Sequence, residues 1–319
     1  MKSLVIIYSE DDWNKKTVLE NNPHTRQTIE NLCKYSIKHG ITLYRANIEW
    51  YNSDKNIFKK AWGFKNKQWA KINSFIKPDF ILDKLSGKQD YKMFDNKITL
   101  SKKTVMLNNP LFRTMLGNKL SQYLCLGEFM PKSFLAMQEN ELPSILKKAK
   151  TKKIVAKPIY GSGGFGITIE EKNKIKNNSL NFPVIIQEFI EGKGGIPRFS
   201  AKNELADLRI VFINHKPIYA LSRIAQKDSL FTNFHQGAKV VLVPQKSIPQ
   251  SVKNLVKKII CKLSIYPKSN YSLDFMFDRN GNPYLIEMNT SPGLDLLDII
   301  GTKKIKDRYF SEIIKSLND

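Results

Sequence analysis

Asp274, Glu287 and Asn289 fall within the stretch LDFMFDRNGNPYLIEMNTSPG, and their types and spacing suit metal chemistry. A turn containing Asn280-Gly281 joins the two apolar runs, which puts Asp274 and Glu287 on neighbouring strands. Glu287 and Asn289 are two residues apart and therefore share a face. Oxygen donors converging in this way fit Mg²⁺, which takes carboxylates together with nucleotide phosphates. An exposed acidic hairpin would carry the same residues, but Leu285, Ile286 and Met288 beside them argue against full exposure.

A second candidate is AKPIYGSGGFGITIE, with G-x-G-x-x-G spacing in Gly161, Gly163 and Gly166. In a dinucleotide-binding fold this turn must open a helix. Here a period-2, β-branched run follows, so the arrangement is strand–loop–strand. A P-loop is excluded because no Gly-Lys-Ser/Thr follows. A kinase flap lacks its companion motifs: there is no H-R-D, and Asp274-Phe275-Met276 is not D-F-G. Two readings stay open for the loop alone: a glycine hairpin without a ligand, and a flap whose N–H groups close over phosphates. Its residues would be Gly161, Ser162, Gly163, Gly164, Phe165 and Gly166. Lys157, four residues upstream on the feeding strand, is placed to reach an α- or β-phosphate, and a buried-strand lysine needs an anion to stay charged. The apolar run VIIQEFIEG then ends in Gln187, Glu188, Phe189 and Ile190. Such a segment can offer backbone groups and apolar faces to adenine; it is also compatible with ordinary core.

These residues need elements to hold them. The first hundred residues alternate apolar runs (SLVIIYS, ITLYRA, PDFILDKL) with a helix expected from Thr25 to His39 and stopped by Gly40. That order suggests a small α/β unit with a parallel sheet. WYNSDKNIFKKAWGFKNKQW carries three tryptophans (Trp50, Trp62, Trp69) and no clear period, so it is left unassigned. Asn108-Asn109-Pro110 marks a boundary, and one helix is expected from there to about Leu124. From Lys152 onward the texture is β-rich, interrupted by a helix over Pro249 to Leu263 and closed by an amphipathic tail helix. The fold class is α/β (α+β).

The chain has 319 residues, 41% hydrophobic and 25% charged, which is ordinary for a globular protein. No apolar run reaches the length of a membrane span, and MKSLVIIYSE is too short in its apolar part for a secretory signal. Cys33, Cys125 and Cys261 are scattered, without zinc-ligand spacing, which points to a reducing compartment and the cytoplasm. The formal net charge is +23, from 52 Lys and Arg against 29 Asp and Glu. Eight of those basic residues are Arg, the better phosphate and base reader, and the lysines are dispersed. A solvated basic surface is therefore preferred to a nucleic-acid site, and an acidic substrate suits it.

Taken together, LGNKLSQYL around Lys119, AKPIYGSGGFG, QEFIEG, ADLRIVFI, ALSRIA, TNFHQGA and LDFMFD…YLIEMNTSPGLD resemble the ATP-grasp superfamily. The nearest pattern is that of the RimK-like ligases and related peptide ligases, with D-alanine–D-alanine ligase and glutathione synthetase further away. The segments span residues 108 to 298. The resemblance implies an N-terminal small α/β domain (1–107), an ATP-grasp subdomain with the flap (108–191), and a second one with the metal site (192–319), the last two clasping ATP. It also implies that Lys119 and Lys157 contact phosphates, that Glu188 and Ile190 flank adenine, and that Asp207 takes the ribose. Arg209 and Arg223 would stabilise the γ-phosphate and acyl phosphate, with Asn233 near the transferred group. Asp274, Glu287 and Asn289 would hold two Mg²⁺, with Mn²⁺ as a substitute. His235, in the same motif, is assigned a structural hydrogen bond. Two departures stand out: KGGIPRFSAKNEL is longer than usual, and Ala238 replaces the last glycine of TNFHQGA.

The implied activity is ADP-forming ligation of a carboxylate to an amine, acting on small molecules or a peptide, with acidic partners favoured. The alternatives are a kinase built on the same fold and a non-enzymatic polyanion binder. No membrane or nucleic-acid partner is expected, and a homo-oligomer is compatible with the sequence.

Overall fold

The computed structural model describes residues 1–85, 93–161, 163–175, 180–191, 195–196, 199–200 and 204–318. The first sheet starts with β1 (Lys2–Tyr8), an apolar run buried on both faces as a central parallel strand requires. Helix α1 (Pro23–Ile37) begins under an Asn22 cap and gives way to a turn ending in Gly40, whose φ is +72°. β2 (Ile41–Asn47) then returns parallel to β1.

The stretch left unassigned from sequence is β structure. β3 (Tyr51–Asn52) and β4 (Ile57–Phe58) pair with each other. β5 (Ala61–Lys65) and β6 (Gln68–Ile72) form a hairpin that extends the sheet antiparallel to β2. Asn66 and Lys67 both take positive φ in its turn, a hairpin geometry usually announced by a glycine that is missing here. After β7 (Phe80–Asp83) come α2 (Phe94–Lys103) and β8 (Val105–Leu107), which give the order β6-β5-β2-β1-β7-β8.

The single helix expected after Asn109 is two helices, α3 (Pro110–Leu116) and α4 (Lys119–Leu126). Gly117 ends the first, and Asn118, in extended backbone, caps the second by accepting from the Ser121 N–H. β9 (Ser133–Ala136) precedes α5 (Leu142–Lys148). β10 (Lys153–Pro158), β11 (Thr168–Glu171) and β12 (Val184–Glu188) complete an antiparallel sheet of order β11-β10-β12-β9. The glycine loop joins β10 to β11, so the strand–loop–strand reading holds.

The third sheet has the order β15-β14-β13-β16-β17. Its strands are β13 (Ala206–Ile213), β14 (Lys216–Ile224), β15 (Lys239–Val243), β16 (Asn270–Phe277) and β17 (Pro283–Asn289). Helix α6 (Gln250–Leu263) covers one face, and α7 (Asp295–Ile300) and α8 (Lys303–Asn318) return the chain toward the first sheet. One core joins Leu4, Ile6 and Leu82 of the first sheet to Val211 and Leu221 of the third through Tyr309 and Phe310 of α8. Among the described residues no helix is long and apolar enough to cross a membrane.

Candidate active site

The site is built from the register of the third sheet. Arg209 stands opposite Asp274, and Asp274 stands opposite Glu287, so one row of β13, β16 and β17 carries an arginine and two carboxylates. One step along, Asp207 faces Arg223 on β14. Two carboxylates side by side repel, and the arginines offset this. Arg209 clamps Asp274 with Nε at 2.8 Å and Nη2 at 2.6 Å. Arg223 donates to the same carboxylate at 2.8 Å and to Asp207, which also accepts from Thr232 Oγ1 at 2.7 Å. Burial alone would raise the Asp274 carboxyl, but Arg209 and Arg223 outweigh it and hold it at about 2.

The pairing slips by one residue after Asp274, because Phe275 faces Leu285. The bulge leaves Ile286 without an opposite partner, and its carbonyl accepts from Lys157 Nζ at 3.2 Å. Lys157 also donates to Gln187 Oε1 at 2.7 Å, and Gln187 is anchored on Ser133. Burial lowers the Lys157 ammonium to about 8, against a pull upward from Glu287.

Lys119 opens α4 and bridges two elements: its Nζ lies 2.7 Å from the Gly161 carbonyl and 3.4 Å from Glu287 Oε1. The edge strand β17 is held from the same helix. Gln122 accepts from the Met288 N–H and donates to the Met288 carbonyl, supplying the ladder that the strand lacks on its open side. The loop needs its glycines: Gly161, Gly163, Gly164 and Gly166 all have positive φ. A Cβ on Gly164 would stand 2.7 Å from Asn233 Oδ1, so the loop reaches across to the connection between β14 and β15 there.

A cleft between the second and third sheets collects many of the expected residues. Lys157, Gln187, Glu188, Phe189, Ile190, Asp207, Arg223, Asn233, Asp274 and Glu287 all line it. Gln187 acts through Lys157, and the Glu188 carboxylate is turned to the Lys150 N–H at 2.6 Å. Gly163, Phe165, Arg209 and Asn289 line an adjoining cavity that shares Glu287, Arg223 and Asn233. Gly161 and Lys119 line a third, which also shares Glu287. Gly166 follows Phe165 in the loop, and Ser162 lies outside the described residues. The His235 side chain is 55% exposed, with Nε2 3.5 Å from Asp295 Oδ2 in the second cavity.

Sequence reasoning missed Val155, Ile167, Ile169, Met276 and Ile286, the apolar walls of the cleft. Alternation marks such residues as sheet-facing, not as lining a gap between two sheets. It also missed Thr232, next to Asn233, whose hydroxyl fixes Asp207.

Asp274, Glu287 and Asn289 fit a hard cation by donor chemistry: two carboxylates, one held well into its ionised range, and an amide oxygen. Among the described residues no three His, Cys, Asp or Glu side chains converge on a metal position. Such a set leaves room for phosphate oxygens and waters, the way Mg²⁺ is held beside nucleotides.

Residues 124–313 match the model of the RimK-like ATP-grasp domain. The chain is 26% identical over 196 residues to a probable alpha-L-glutamate ligase of Vibrio atlanticus, covering 60% of each. It is 24% identical over 196 residues to a probable alpha-L-glutamate ligase 2 of Pseudoalteromonas atlantica, again 60% of each. The match thus spans about 60% of the length of these curated relatives. Among solved structures, the fold matches a RiPP-associated ATP-grasp ligase of Chryseobacterium gregarium in complex with ADP and a leader and core peptide. The TM-score is 0.63 at 17% identity, over 100% of this chain and 97% of the other. It also matches the VanG D-Ala:D-Ser ligase of Enterococcus faecalis, with TM-score 0.64 at 12% identity over 99% of both. With the family model covering more than half of its length, the chain belongs to the RimK-like ATP-grasp family.

Proposed function

We propose that the protein is an ATP- and Mg²⁺-dependent ligase that joins a carboxylate to an amine and releases ADP and phosphate. The observation that supports this most is the convergence at Glu287. The cleft between the second and third sheets, the arginine-lined cavity under the loop and a basic third cavity all share that residue. We read residues 1–107, 108–191 and 192–319 as the three units that contribute those walls.

The chemistry explains the charge. A carboxylate is a poor acyl donor, because its charge repels nucleophiles and oxide leaves badly. Transfer of the γ-phosphoryl group to it gives an acyl phosphate, which an amine then attacks with loss of phosphate. Both steps gather negative charge, so the protein's task is mainly electrostatic. Lys119 and Lys157 would hold phosphates, Arg209 and Arg223 the transferred group, with Asn233 beside it. The cleft segment from Gln187 to Ile190 would take adenine and Asp207 the ribose. Asp274, Glu287 and Asn289 would hold Mg²⁺, two ions in our reading and replaceable by Mn²⁺, and bound Mg²⁺ neutralises phosphate charge. The loop from Gly161 to Gly166 would keep water from the acyl phosphate.

The relatives' names and the net charge of +23 point to an acidic amino acid or peptide as substrate. The test is to incubate the protein with ATP, Mg²⁺ and a panel of acid–amine pairs. Amine-dependent release of ADP and phosphate is expected. AMP as the nucleotide product would exclude an acyl-phosphate route, and a phosphate ester formed on a hydroxyl without any amine would make the protein a kinase.

A further inference from the structure

Beside the cleft lies a separate cavity of about 360 Å³, where the end of the first sheet meets the loop after β17. It is large enough for an amino acid or a short peptide segment. Its lining carries three cations, Lys84, Arg113 and Lys119, and one carboxylate among the described residues, Glu287. Lys119 already answers Glu287 at 3.4 Å. Arg113 is fixed by the backbone, donating to the Thr290 carbonyl at 3.2 Å and to the Leu85 carbonyl, and its Nε lies 3.8 Å from Asp83. Asp83 is itself paired with Lys97 at 2.7 Å.

Lys84 is different. It follows β7 directly, and its Nζ donates to the Pro292 carbonyl at 2.7 Å. Among the described residues no carboxylate stands within ion-pair distance of it. Burial and then Arg113 push its ammonium down to about 7, against weaker upward pulls from Asp83 and Asp295. Lys84 is half-buried; a cation partly withdrawn from water without a close counter-ion carries a cost, and an anion entering the cavity would remove it.

We propose that this cavity binds a carboxylate of the non-nucleotide substrate through Lys84, so that the protein selects an acidic amino acid or an acidic peptide. The proposal deepens the ligase reading and rests on it for the word substrate. Lys84 determines specificity, and the nucleotide is held elsewhere. The shared wall at Glu287 and Asn289 brings the bound molecule beside the residues that would hold the metal.

Calorimetry tests this without turnover. L-glutamyl-L-glutamate is titrated into protein saturated with ADP and Mg²⁺, with L-alanyl-L-alanine as the neutral probe. One site is expected for the acidic dipeptide. Lys84→Met should weaken it about tenfold or more, as loss of a charge-assisted bond does, while Lys84→Arg keeps part of the affinity. Equal affinity of the two dipeptides for the unsubstituted protein, or unchanged affinity in Lys84→Met, overturns the proposal. Ligand-free Lys84→Met should unfold at the same temperature as the unsubstituted protein or higher, because a half-buried cation without a close counter-ion has been removed. A clear fall would make Lys84 a structural residue and also overturn the proposal. Failure of the ligase reading shows separately, as absent ADP release by the unsubstituted protein with every acid–amine pair.

Discussion

Lys157 is a charge that the ligand-free protein carries at a cost. Its partners are an amide oxygen and a carbonyl, and burial holds it at about 8. The folded value is lowered, so the destabilisation is present in full below about pH 8 and fades as pH rises toward the unfolded lysine value. Lys157→Met should therefore raise the unfolding free energy at pH 7 by about 1 kcal/mol. The same change should weaken ATP binding about tenfold or more through loss of a charge-assisted contact; thermal melts and ATP titration check both effects. Phosphate binding favours the charged lysine, so ATP affinity should decline as pH passes above about 8, by at most tenfold per unit. Asp274 has the opposite sign. Asp274→Asn leaves Arg209 and Arg223 buried with less compensation, and about 3 kcal/mol of stability should be lost in denaturant unfolding. His235, half-exposed, should tolerate Gln within about 0.5 kcal/mol, which separates it from a structural hydrogen-bonder. At this scale the Asp274–Glu287 pairing was legible because a short Asn-Gly turn dictates it. The Arg209–Asp274 and Arg223–Asp274 clamps were not, since they join residues 65 and 51 apart and no local pattern encodes that register.

The loop and the two short helices show what elements add. The glycine spacing was legible as a strand–loop–strand, because β-branched residues follow it at period 2. What the spacing could not reveal is that Gly164 meets Asn233 in the connection between β14 and β15. Gly164→Ala places a side chain at φ +83° and 2.7 Å from that amide oxygen, so the loop backbone is strained and its contact with the Asn233 side chain must shift. The expected outcome is a large fall in turnover, about tenfold or more, with unfolding changed by only about 1 kcal/mol, since the loop contributes little core. Steady-state kinetics and melts on one preparation read both. The break between α3 and α4 was missed because Gly117-Asn118 reads as a tolerable interruption in a helical pattern, yet it is what places Lys119 at a helix start facing Gly161. The hairpin of β5 and β6 escaped for the converse reason: its turn residues, Asn66 and Lys67, reach positive φ without a glycine to announce it.

At the scale of the whole molecule, packing and charge act across the units. The core that joins the first sheet to the third through α8 makes them one cooperative body, which composition alone could not disclose because the amphipathic tail helix could have packed on either. Phe310→Ala should cost about 3–5 kcal/mol and lower a single unfolding transition without splitting it, as differential scanning calorimetry would show. Charge works over longer distances. A net +23 on 319 residues, with lysines dispersed over the surface, creates a field that draws anions before any contact forms. That field is screened beyond about 8 Å at physiological ionic strength, whereas a half-buried cation inside a cavity, such as Lys84, is screened less. The two contributions therefore separate with salt. For an acidic peptide substrate, kcat/KM should fall steeply between low salt and about 0.5 M, while a neutral peptide changes little. Lys84→Met should lower the acidic peptide's kcat/KM at every salt concentration yet leave the slope intact, because the slope belongs to the surface and the offset to the cavity. A slope that vanished with Lys84 would mean that the dispersed lysines take no part in recruiting the substrate.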